Sequence, residues 1–200
     1  KVTFILMNQR GEMLKEINPE IEIINLKAVR IRDSIKSLIK IFKKYDNSYF
    51  ISAMWPLNSV VLFCSLLGNK SNKFYITEHV NLSKSINIDF HVPKFFLYLT
   101  ITFTYIWAKK IICVSNGVKA DVNKYCLFNI KNKLVTIYNP IINSLPNLSE
   151  KKNKKIRLLT VGTLKKQKNH NLIMNSFALL DDKKKYHLDI VGDGPLKREL

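Results

Sequence analysis

The 200-residue sequence predicts an α/β fold built on parallel sheets. Short apolar runs of strand length alternate along it with segments of helical periodicity. Several of the stretches between successive runs are long enough to hold a crossover helix, which parallel neighbours require. Polar clusters, two of them glycine-bearing, stand where several runs end.

In chain order the strand-like runs are Thr3–Met7, Ile21–Asn25, Tyr49–Met54, Lys73–Thr77, Ile111–Val114, Leu134–Ile137, Arg157–Val161 and His187–Val191. The clearest helix covers 30–44, where Ile31, Ile35, Leu38, Ile39 and Phe42 fall on one stripe. Lys36, Lys40 and Lys43 occupy its opposite face, either as a solvated surface or as a basic strip for anionic lipid. Val118, Val122 and Tyr125 repeat the helical spacing after Ser115, a plausible N-cap. Ile173, Phe177 and Leu180 do so after the turn Gln167-Lys168-Asn169.

Residues 95–108 carry two signals. Thr alternates with large apolar residues over 100–105, as in a strand, yet Lys109-Lys110 offers no turn into the Ile111 run. A buried helix is the preferred reading, with core packing favoured over a membrane-facing patch for its six aromatic residues. The polar stretch 143–155, which contains Pro146, reads as a linker between a first domain (1–142) and the start of a second (156–200). So short a second piece holds two strands, one helix and the start of another, too little to bury a core alone. The chain is therefore expected to be a fragment.

Composition narrows the function classes. At 46% hydrophobic and 24% charged residues, disorder and low complexity are excluded. No apolar run reaches the roughly 18 residues that span a bilayer. The net charge of +18 suggests an anionic partner, but 28 Lys, 24 Ile and 20 Asn against 5 Ala match the skew of AT-rich codons. No groove-reading helix, RNA-stacking motif or zinc spacing accompanies the charge, so no nucleic-acid partner is expected. Cys64, Cys113 and Cys126 lack metal-ligand spacing and favour reduced thiols in the cytoplasm.

Open parallel sheets bind ligands beyond the carboxyl ends of their strands. Glu78-His79, Gly162-Thr163 leading to Lys168, and Gly192-Asp193-Gly194-Pro195 stand at such ends. The second and third clusters suit an anion: a glycine lets backbone approach a ligand, and a lysine beside a helix start supplies charge. His91, His170 and His187 read as surface or capping residues, and Asn139-Pro140 as a turn.

Val161-Gly162-Thr163-Leu164-Lys165-Lys166-Gln167-Lys168-Asn169-His170, then Phe177-Ala178, then Ile190-Val191-Gly192-Asp193-Gly194-Pro195-Leu196, resembles the donor-domain opening of glycosyltransferase family 4. Thr77-Glu78-His79 with Asn81, Ile111–Ser115 and Val135–Pro140 are compatible with that family's first domain. The resemblance implies a GT-B fold of two Rossmann-like, doubly wound domains, both incomplete in this chain. It implies retaining sugar transfer from a nucleotide-sugar donor, expected to be UDP-linked, without a metal. The acceptor would be a glycan or lipid-linked, with the enzyme cytoplasmic or peripheral at the inner membrane face.

By the same resemblance, Lys168 would contact the donor diphosphate and His79 the donor sugar. Gly162 and Thr163 would line the pocket through their backbone. Gly192, Asp193 and Gly194 would form the turn beside the nucleotide, Asp193 shaping it. Many relatives have Arg where Thr163 stands, a contact that Lys165 or Lys166 could replace. The family's Gly-rich loop after the first strand and its paired glutamates are absent from these 200 residues, so the chain by itself is expected to be inactive. A sugar-nucleotide epimerase and, more remotely, a basic nucleic-acid-binding protein are the alternatives.

Overall fold

The computed structural model describes residues 1–86, 92–140 and 155–200, except the side chain of Lys183. The expected linker 143–155 lies outside the described residues except for Lys155, and His91 lies outside them too. The chain divides into two compact units, Lys1–Ile141 and Ile142–Leu200.

All eight strand-like runs form strands, each within a residue or two of its sequence bounds, and every pairing is parallel. In the first unit β1 (Thr3–Leu6) pairs β2 (Glu22–Asn25). A second sheet has the order β3 (Tyr49–Ala53), β4 (Lys73–Glu78), β5 (Lys110–Cys113), β6 (Leu134–Thr136). Between β1 and β3 lies a cavity of about 440 Å³, lined in part by Phe4, Ile5, Tyr49, Phe50 and Ile51.

Helix α1 (Ile35–Lys44) follows a short 3-10 turn at Ile31–Ser34 and buries Leu38 and Phe42, as its stripe predicts. Phe42 then meets Phe50 of β3 at 4.7 Å and Phe74 of β4 at 4.8 Å between ring centres, both edge-on. Such pairs contribute roughly 0.5–1.5 kcal/mol beyond the area they bury. Helix α2 (Leu57–Ser65) is apolar nearly all round and buries Val61, Leu62 and Cys64. Lacking a polar face, it gives no periodic signal in the sequence. The short α3 (Leu82–Ser85) follows β4.

Residues 95–108 form a helix: α4 (Lys94–Thr104) continued by a 3-10 turn to Trp107. It is not the buried helix expected. Leu97, Ile101, Thr102 and Tyr105 face the core, whereas Phe95, Phe96, Leu99, Phe103 and Trp107 face outward. The core beneath, with α2 against it, covers one side of the helix only, and the segment is apolar on both. Helix α5 (Asn116–Lys124) begins as predicted, with Ser115 Oγ accepting the Val118 N–H at 3.2 Å.

In the second unit β7 (Ile156–Val161) pairs β8 (Tyr186–Val191) from Ile156↔Tyr186 to Val161↔Val191, with α6 (His170–Ala178) between them in sequence. Among its described residues only Leu164 and His170 are buried.

Candidate functional site

The β7–β8 register brings the two glycine-bearing turns side by side. The last paired residues are Val161 and Val191, so Gly162 and Gly192 leave the sheet together. Backbone hydrogen bonds then stitch the turns. The Gly162 N–H donates to the Val191 carbonyl at 2.9 Å, the Leu164 N–H to the Asp193 carbonyl at 2.9 Å, and the Leu196 N–H to the Leu164 carbonyl at 3.1 Å.

That closeness explains the residue types. A Cβ on Gly192 would stand 1.9 Å from the Gly162 carbonyl oxygen, and one on Gly194 2.6 Å from the Leu164 carbonyl oxygen. Any side chain at either place would force the turns apart. Leu164, buried between them, anchors the loop.

Lys168 reaches back over this platform. Its Cε, Cδ and Cγ lie 3.5, 3.6 and 3.8 Å from where a Gly162 Cβ would be, so its stem crosses the bare glycine. The side chain is exposed, and among the described residues no ion pair engages its ammonium. Asn169, in the left-handed conformation (φ 47°), turns the chain from the 3-10 turn Lys166–Lys168 into α6. The positive end of the helix dipole therefore begins two residues from this free cation.

Thr163 is exposed, and its carbonyl accepts the Lys165 N–H at 2.9 Å. His170, read from sequence as a surface or capping residue, is buried. Its ring folds beneath the loop, with Nε2 3.4 Å from the Thr163 carbonyl oxygen. Asp193 shapes its turn: its carboxylate accepts the Gly194 N–H at 2.8 Å and stands 3.6 Å from the Lys197 ammonium. His187 is a surface residue paired with Asp189 at 3.1 Å.

His79 belongs to the first unit. It stands exposed just past β4, with Nε2 3.1 Å from Thr77 Oγ1. Its neighbour Glu78 points the opposite way, as strand alternation dictates. There it is fully buried. Glu78 Oε1 accepts Asn58 Nδ2 at 2.7 Å and the Tyr105 hydroxyl, and Oε2 accepts the Trp55 N–H at 3.4 Å. Burial pushes its carboxyl upward, against the three hydrogen bonds that pull it down. This network ties β4 to α2 and to the turn after α4. Sequence reasoning misses it because Asn58 lies in an apolar stretch and Tyr105 lies 27 residues from Glu78.

No protein-family model matches the sequence, and no curated protein aligns with it.

Proposed function

We propose that this chain carries the donor side of a retaining glycosyltransferase that takes a nucleotide sugar, expected to be UDP-linked, and delivers the sugar to a glycan or lipid-linked acceptor. The observation that supports it most is the bare, stitched platform of Gly162 and Gly192 with the unpaired Lys168 laid across it. The missing Cβ atoms let the two turns close on each other and let the Lys168 stem lie over Gly162, and a lysine beside a helix start offers a phosphate a positive charge.

The chemistry follows from charge development. When the bond between the sugar and the diphosphate breaks, negative charge grows on the leaving oxygens, and a fixed cation and helix dipole act there. Lys168 holds its place because Gly162 gives its stem a flat bed. The Gly162 N–H is committed to the Val191 carbonyl, so of these two residues it is the Thr163 N–H that would meet the same anion. Asp193 keeps the second turn in shape without entering the reaction. His79, exposed at the rim of the first unit, is assigned the donor sugar by the family resemblance.

Calorimetric titration with UDP and with a UDP-sugar tests the reading. Binding is expected, and Lys168→Met should weaken it roughly 10- to 100-fold, the range of a lost charged hydrogen bond. No binding of either ligand, or equal binding by the variant, would refute the assignment. Product analysis with a UDP-sugar, with and without acceptor, separates transfer from epimerisation.

A further inference from the structure

The outer face of α4 does not fit an ordinary solvated surface. Phe95, Phe103 and Trp107 are 73%, 61% and 53% exposed, and Phe96 and Leu99 lie between them. At about 100° per residue the four on α4 occupy a single arc of roughly 100°, and Trp107 follows on the 3-10 turn. The apolar surface extends sideways, since the Leu127 N–H donates to Thr102 Oγ1 at 3.2 Å and so holds Leu127 and Phe128, both exposed, beside the helix.

The charge carried by the helix and its flanks in sequence has one sign. Lys94 opens the helix, Lys109 and Lys110 follow it, and no Asp or Glu occurs anywhere between residues 92 and 120. Trp107 shares a concavity with Lys73, Lys109 and Lys110, which sets the indole at the border between apolar and basic surface. The threonine hydroxyls on the helix are already used. Thr100 Oγ1 donates to the Phe96 carbonyl at 2.9 Å and accepts Trp55 Nε1 at 3.0 Å, and Thr104 donates to the Thr100 carbonyl at 2.6 Å. What remains on the outward arc is rings and long cations, with the Trp107 N–H as its one directional donor. A fluid, negatively charged surface complements that better than a folded protein, whose recognition needs matched hydrogen bonds at the rim.

We propose that the α4 face, with Lys94, Lys109 and Lys110, docks this protein on the surface of an anionic lipid bilayer. The helix lies flat: at 11 residues α4 is roughly 16 Å long, and no described helix is long and apolar enough to cross a membrane. Its rings enter the headgroup region while the lysines meet lipid phosphates. The lysines of α1 differ, because Lys36, Lys40 and Lys43 stand on a helix with no large exposed apolar residue. They are a solvated face. None of this depends on the site around Lys168.

Co-sedimentation with vesicles tests it, using phosphatidylcholine alone and phosphatidylcholine containing roughly a quarter phosphatidylglycerol. Binding is expected to the second only, with Trp107 emission moving to shorter wavelength while the buried Trp55 does not respond. Phe95→Ser with Phe103→Ser should abolish binding. Lys94→Gln with Lys109→Gln should weaken it roughly 25-fold, about fivefold per lysine. Circular dichroism confirms that both variants remain folded. Changing Lys36, Lys40 and Lys43 to Gln should leave binding intact. The proposal is overturned if anionic vesicles do not bind, if the α1 variant loses binding while the ring variant keeps it, or if the ring variant instead abolishes self-association of a chain that ignores vesicles.

Discussion

Replacing Glu78 by Gln isolates the energetic consequence of a carboxyl buried at the end of β4. Burial raises its pKa, so the folded chain keeps a proton that the unfolded chain releases above the ordinary glutamate value of 4.5. A raised carboxyl contributes stability that is complete below that value and is lost as pH climbs toward the folded one. The loss is about 1.4 kcal/mol for each pH unit within this window.

Gln resembles the protonated acid. It still accepts from Asn58 and Tyr105, though its amide sets an N–H toward the Trp55 N–H where the acid had Oε2 at 3.4 Å. At low pH the variant should therefore lie within about 1 kcal/mol of the wild type. Urea unfolding followed through the buried Trp55, in steps from about pH 4 to about pH 8, gives both curves. Their difference should slope at about 1.4 kcal/mol per pH unit above 4.5 and then level off, with the variant the more stable. The exposed carboxylates Glu22 and Asp46 and the half-buried Asp189, whose pKa values are lowered by hydrogen bonds, drift the other way in both proteins and cancel. Parallel curves would refute the burial argument.

The paired turns make a second contrast. Gly192→Ala meets the Gly162 carbonyl oxygen at 1.9 Å and should cost about 1–3 kcal/mol in the second unit, read as a lower unfolding midpoint, together with loss of UDP binding. Gly162→Ala would meet only the Lys168 stem, at an ordinary contact distance of 3.5 Å, and should keep stability, the place of the lysine and UDP binding. The thiols give a third prediction. Burial pushes Cys64 up to about 11 and Cys113 up to about 12, so neither should react with maleimide at neutral pH until urea is added.

Local chemistry is legible in the amino-acid order alone. Strand runs bounded by polar residues, the α1 stripe and the Ser115 cap are written within a few residues, and each forms as read. So is the spacing that carries Gly162, Lys168 and Gly192 to neighbouring strand ends, because parallel pairing of β7 and β8 needs only two matching apolar runs. Direction and coverage are not legible there. Whether α4 shows or hides its rings depends on how much of its girth α2 and the core beneath cover, and an all-apolar helix carries no polar face to say so. That Glu78 turns inward to Asn58 and Tyr105, and that His170 tucks under Thr163, depends on partners distant in sequence or on a loop fold. Sequence sets what each segment prefers by itself; burial is a property of neighbours, and only the assembled tertiary structure supplies those.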